Sequence, residues 1–157
     1  MRIPIVDEND VLIEYRERDD NDVVAIRRVS FLWVTNSKGD ILLARRGWEK
    51  KHGAGKWGPA VAGTVEEGET YESNIIKEMD EEIGLKNLSP ILSRKIRINN
   101  CFCQGFDIVL DKDASEFKLQ EKEVAEVKWF TREQLRKELN EHPENFLVQS
   151  IHEKLKD

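Results

Sequence analysis

The sequence predicts an α/β domain: a mixed β-sheet covered by helices on both faces and preceded by an N-terminal β-hairpin. Two observations carry this. Runs rich in β-branched and aromatic residues alternate with segments of helical periodicity along the chain. The 157 residues contain no repeat, low-complexity tract or Pro/Ser-rich linker, so residues 1–157 are expected to form one domain. A chain of this length can bury roughly two thirds of its unfolded surface, enough for a core.

The elements follow in order. Apolar Ile3 to Val6, a polar turn at Asp7 to Asp10 and the run Val11 to Tyr15 predict a hairpin within residues 1–22. The acidic stretch at 18–22 reads as a loop. Two β-rich runs then flank Asn36-Ser37-Lys38-Gly39-Asp40, a second hairpin. Residues 47–58, with four glycines and no periodicity, read as a loop, and Trp57 to Val65 as short β structure. A helix is expected from about Thr70, a natural N-cap, to Ile83, where Gly84 stops it. Ile75, Met79 and Ile83 form its apolar stripe. Strands are expected at 91–98, 101–110 and 123–130. Thr131 with Gln134 opens a helix to about Asn140. Pro143 and Glu144 start a last helix carrying Phe146, Leu147, Ile151 and Leu155. Trp33 and Trp129 read as core.

Composition narrows the function. The net charge of −6 argues against nonspecific binding to a nucleic-acid polymer. No apolar run reaches the 18 residues of a membrane span, and the N-terminus lacks the apolar stretch of a secretory signal, so a cytoplasmic location is the expectation. Cys101 and Cys103, the only cysteines, read as two small side chains on one strand face. The three histidines are scattered, without metal-binding spacing.

The informative stretch is Glu78-Met79-Asp80-Glu81-Glu82. At helical spacing Glu78, Glu81 and Glu82 share a face, and Asp80 points elsewhere. Converging carboxylates raise one another's pKa unless a cation neutralises them. A hard divalent cation does so, and a solvated acidic face is the plainer alternative.

The flanks extend the pattern. Gly63, Glu69 and Lys77-Glu78-Met79-Asp80-Glu81-Glu82-Ile83-Gly84-Leu85 together resemble the Nudix box, G-x5-E-x7-R-E-U-x-E-E-x-G-U, with U bulky and apolar. Every fixed position of residues 63–85 matches except Lys77, which stands where the family has arginine. The surrounding strands also fit the αβα sandwich of the Nudix hydrolases. The resemblance implies that Glu78, Glu81 and Glu82 bind Mg²⁺ or Mn²⁺, and that the metal polarises a diphosphate and activates water. It implies that Gly63 lets the loop turn and offers its carbonyl, that Glu69 and Gly84 support the loop-helix-loop, and that Lys77 takes the arginine's place in orienting a metal-binding glutamate.

Outside the box, Glu123 and Glu121 are candidates for the base, with exposed acids ahead of a strand as the alternative. Arg46 and Arg45, in a basic stretch with Lys50, Lys51, His52 and Lys56, are candidates for gripping phosphate oxygens. Trp57 and Trp48 could stack on a substrate group or serve packing. The layout is also similar to the isopentenyl-diphosphate isomerase branch of that superfamily. Aligning Trp57 with the isomerase tryptophan puts Ala62 at the catalytic cysteine and Thr64 at a histidine ligand, and alanine transfers no proton. The expected function is therefore a metal-dependent hydrolase of a small-molecule diphosphate, such as a nucleoside diphosphate linked to another group. Isomerase-like activity and a non-catalytic ligand-binding module are the alternatives. Many members of that family are dimers, so a homodimer is an expectation.

Overall fold

The computed structural model describes residues 1–18 and 24–157. Residues 19–22 of the expected acidic loop lie outside the described residues. β1 (Arg2–Val6) and β2 (Leu12–Glu17) form the N-terminal hairpin. β3 (Arg27–Thr35), β4 (Ile41–Arg46), β5 (Trp57–Gly58) and β6 (Val61–Thr64) lead into helix α1 (Tyr71–Ile83). β7 (Ile91–Ile98), β8 (Cys101–Val109) and β9 (Val124–Phe130) are followed by α2 (Arg132–Glu141) and α3 (Val148–Leu155).

Among the described residues, β3 to β9 make one seven-stranded sheet, ordered β5-β4-β3-β8-β7, with β6 also on β3 and β9 also on β4. It is mixed because β3 and β8 run parallel, from Arg27 opposite Cys101 to Thr35 opposite Val109, while the other pairs are antiparallel. Alternation along β3 and β4 sorts side chains to two faces. Leu32, Val34, Leu42 and Ala44 pack with Ile75, Met79 and Ile83 of α1. Trp33, Ile41 and Leu43 pack with Leu135 and Leu139 of α2, Ile151 of α3 and Phe146. The sheet is thus sandwiched between helices, as the strand patterning predicts. Each large apolar side chain fully buried this way contributes about 1.5–3 kcal/mol. Trp33 is buried, and Trp129 packs beside the α1 core with its indole N–H donating to the Lys112 carbonyl at 2.8 Å.

One expected element is divided. Pro143–Asn145 is a short 3-10 turn, and α3 begins only at Val148. Between them Phe146 bridges Trp57, and the Leu147 N–H donates to the Trp57 carbonyl at 2.8 Å. Pairing with the end of the sheet satisfies these backbone groups outside a helix, so tertiary hydrogen bonding overrides the local helical pattern.

The hairpin is tied down by Asp10, whose positive φ of 61° is tolerated by a short polar side chain. Its carboxylate accepts from Arg28 at 2.7 Å, Tyr71 at 2.9 Å and Lys95 at 2.6 Å. No helix among the described residues is long and apolar enough to cross a membrane.

Candidate active site

Helix α1 is well specified at both ends. Thr70 and Ser73 form a reciprocal capping box, and Gly84, at φ 71°, ends the helix with its N–H on the Asp80 carbonyl. Burial of Ile75, Met79 and Ile83 fixes the helix rotation and turns Glu78 and Glu82 toward β6.

The contact with β6 is close. A Cβ on Gly63 would stand 2.5 Å from Glu78 Cγ and 2.9 Å from Asn74 Oδ1. Gly63 is paired with Ser30 inside β6 and has no positive φ. The expectation that it lets a loop turn is therefore corrected: glycine is needed because α1 leaves no room for a side chain. The neighbouring Ala62 backbone N–H bonds to the Glu82 carboxyl. Glu82 is 6% exposed, and its carboxyl is pushed well up, first by burial and then by the charge of Glu78. Glu78 is pushed up by burial, against the opposing pull of Glu82 and Lys77. The two carboxyls stand close enough to act on each other, and burial raises the proton affinity of both.

Three acids surround Lys77. Its Nζ lies 2.5 Å from Glu69, 3.0 Å from Glu66 and 3.7 Å from Glu78. Burial lowers the lysine's proton affinity, but Glu69 and Glu66 raise it more. Burial also pushes the Glu69 carboxyl up, yet Lys77, the Glu66 N–H and Asn74 hold it below the ordinary range. Glu69 thus ties the 66–69 turn to the first turns of α1.

Two further segments approach the glutamates. The Gln120 N–H donates to the Glu82 carbonyl at 2.9 Å, which holds the 120–124 turn against the end of α1. Glu123 acts electrostatically on Glu82 and Arg46, and forms an ion pair with Lys50. Gly47 lets the basic loop press onto that turn, because a Cβ there would collide with the Lys122 carbonyl oxygen. Arg46 donates to the His52 carbonyl at 3.0 Å. Burial lowers its proton affinity, while Glu82 and Glu123 raise it.

The sequence-predicted residues therefore divide. Glu78, Glu82, Gly63, Glu69, Lys77, Arg46 and Glu123 converge. Glu81 and Glu121 are exposed, although the Glu81 charge reaches Glu78. Arg45 and Trp57 pair across β4 and β5, and Trp57 packs with the α2 and α3 core, against the face opposite α1. The Arg45 guanidinium lies 4.6 Å over Trp48, 5.7 Å over Trp57 and 3.2 Å from Glu126, so local partners engage it. Sequence patterning misses Asn74, whose available signal was its position one helical turn before Glu78.

Among the described residues, no three His, Cys, Asp or Glu side chains stand together as a ready-made metal site. Glu78 and Glu82 stand as a buried pair instead. Their chemistry still suits a hard divalent cation, for which the donors are oxygens and which competes with protons for carboxylates. The glycine-lined contact and the buried, unpartnered Asn74 Oδ1 beside it fit the same group.

Comparison with known proteins agrees with this geometry. The family model for the NUDIX domain matches residues 25–149. The NAD-capped RNA hydrolase NudC of Mannheimia succiniciproducens is 36% identical over 110 residues, 69% of this chain and 38% of that protein, so the chain spans little more than a third of that relative. Isopentenyl-diphosphate Delta-isomerase 2 of Photorhabdus laumondii is 28% identical over 128 residues, 78% of this chain and 72% of that protein. The crystal structure of DR0079 from Deinococcus radiodurans has the same fold, with a TM-score of 0.85 at 21% identity, covering 99% of this chain and 98% of that one. With the box residues gathered on α1 and β6 and the domain model spanning most of the sequence, the chain belongs to the Nudix superfamily of hydrolases.

Proposed function

We propose that the protein is a divalent-cation-dependent pyrophosphohydrolase that cleaves a diphosphate linkage in a small molecule, such as a nucleoside diphosphate joined to another group. The observation that carries this is the Glu78–Glu82 acid pair, buried against the Ala62-Gly63 backbone with Lys77 and Arg46 beside it. A buried acid pair with no apolar role is costly unless it serves a cation.

In this reading Glu78, Glu81 and Glu82 would hold Mg²⁺ or Mn²⁺, with the Gly63 carbonyl as a further oxygen. When bound, the cation neutralises diphosphate charge and lowers the pKa of a water. Lys77 keeps Glu78 and Glu69 oriented. Arg46 grips a phosphate oxygen. Glu123 takes the proton from the attacking water once Lys50 is drawn to the substrate.

Glu78→Gln tests the reading. Mg²⁺-dependent turnover should be lost with the fold intact, and unchanged turnover overturns the assignment. The substrate is found by a screen of nucleotide sugars, dinucleoside polyphosphates, NADH, coenzyme A and NAD-capped RNA, the last because of the NudC relative. The isomerase relative makes prenyl-diphosphate isomerisation a second reading. It predicts interconversion without phosphate release, and Ala62 offers no proton-transferring group for it.

A further inference from the structure

Asn74 has a bonding pattern that its neighbours leave incomplete. It is fully buried on α1, one turn before Glu78. Its amide nitrogen donates to the Thr64 carbonyl at 3.0 Å and to Glu69 at 2.9 Å. Both partners are acceptors, so the NH₂ must face them and the orientation of the amide is fixed by chemistry. Oδ1 therefore points away from them, and it is buried with no hydrogen-bond partner. Among the described residues only Arg132 Nη1 shares that condition. Oδ1 borders the Gly63 contact, 2.9 Å from the point where a Cβ would stand, and the Glu78 carboxyl carbon lies 3.0 Å from the same point. A buried acceptor without a donor is unfavourable, and an apolar side chain would avoid it. The oxygen and the Glu78 carboxyl thus border the same point beside Gly63.

We propose that Asn74 is a positioning residue of the cation site: its Oδ1 accepts a hydrogen bond from a water carried by the bound divalent cation, while its NH₂ locks Glu69 and β6 in register. This rests on the cation reading of the Glu78–Glu82 pair. Mg²⁺ and Mn²⁺ keep several waters when few protein ligands reach them, so a neutral, buried oxygen is a suitable partner.

The test is Mn²⁺ binding to the full chain, followed by the loss of the free-ion electron paramagnetic resonance signal, with no turnover required. Asn74→Ala should weaken Mn²⁺ binding about tenfold or more, the usual effect of losing an outer partner. Asn74→Asp loses the NH₂ donor but keeps an oxygen facing Gly63 and adds charge. It should bind Mn²⁺ at least as tightly as the parent while melting at a lower temperature. A mere strut predicts that Asp and Ala weaken binding alike. That result, or parental Mn²⁺ affinity in Asn74→Ala, overturns the proposal, and the Asp variant decides alone if the Ala variant does not fold. Glu78→Gln separates the two levels. If it keeps Mn²⁺ affinity, the cation reading fails. If it loses affinity and Asn74→Ala does not, only the role of Asn74 fails.

Discussion

Glu78 Cγ lies 2.5 Å from where a β-carbon on Gly63 would stand. Real Cβ contacts are longer, so a single methyl on β6 must displace the helix side chain. Gly63→Ala should preserve the circular dichroism spectrum and lower Mg²⁺-dependent turnover about 100-fold, the scale expected when a reacting group moves by about 1 Å. Turnover near the parental value would show that Glu78 has no fixed place in the reaction.

Lys77 is the one departure from the box, and its ammonium reaches three carboxylates. Lys77→Met leaves the half-buried Glu69 without its cation. The expected loss is roughly 1–3 kcal/mol, or a melting temperature lowered by about 2–4 °C per kcal/mol for a chain of this size. Lys77→Arg should retain most of the stability. A melting curve of Lys77→Met that overlays the parent would remove Lys77 from the support of the site.

Burial of Glu82 couples stability to pH. Its folded-state pKa is raised to about 9, by burial and then by Glu78, whereas an unfolded glutamate titrates near about 4.3. Between those values the folded chain holds more protons, so the metal-free stability contributed here is greatest at low pH and falls as pH rises. The melting temperature of the metal-free protein should drop by several degrees from pH 5.5 to 8.5, and Glu82→Gln should flatten that slope. Added Mg²⁺ should stabilise more at pH 8.5 than at 5.5, because it competes with the proton. A parental slope in Glu82→Gln would assign the effect to another group.

Glu123 stands close enough to act on Glu82 and Arg46 while paired with Lys50. If it is the base, Glu123→Gln should lower kcat by about 100-fold or more and leave Mn²⁺ binding and KM nearly unchanged. Steady-state kinetics beside a Mn²⁺ titration decides it. An unchanged kcat passes the role to another acid.

Much of this was legible in the chain because its signals are local. The α1 stripe, the Thr70 cap and the Gly84 stop specify the helix within one segment, and Glu78 and Glu82 follow from its periodicity. What escaped depends on partners distant in sequence. Phe146 and Leu147 pair with Trp57 rather than continuing a helix, and no local propensity encodes a bridge across that separation. Gly63 reads as a turn residue until α1 is seen pressed against it. Arg45 and Arg46 are neighbours in sequence, yet one is engaged by Trp48, Trp57 and Glu126 and the other approaches the glutamates, because adjacent strand residues face opposite ways.

The Asp10 contacts carry an implication for the order of assembly. Arg28, Tyr71 and Lys95 lie 18, 61 and 85 positions beyond it. During synthesis the hairpin emerges well before the tyrosine of α1 and the lysine of β7 exist. It can zip locally, but its side-chain anchorage is complete only after more than half of the chain has left the ribosome. Contacts of such long separation carry a large loop-closure cost and tend to form late. A segment made before its partners is thus among the last to be secured.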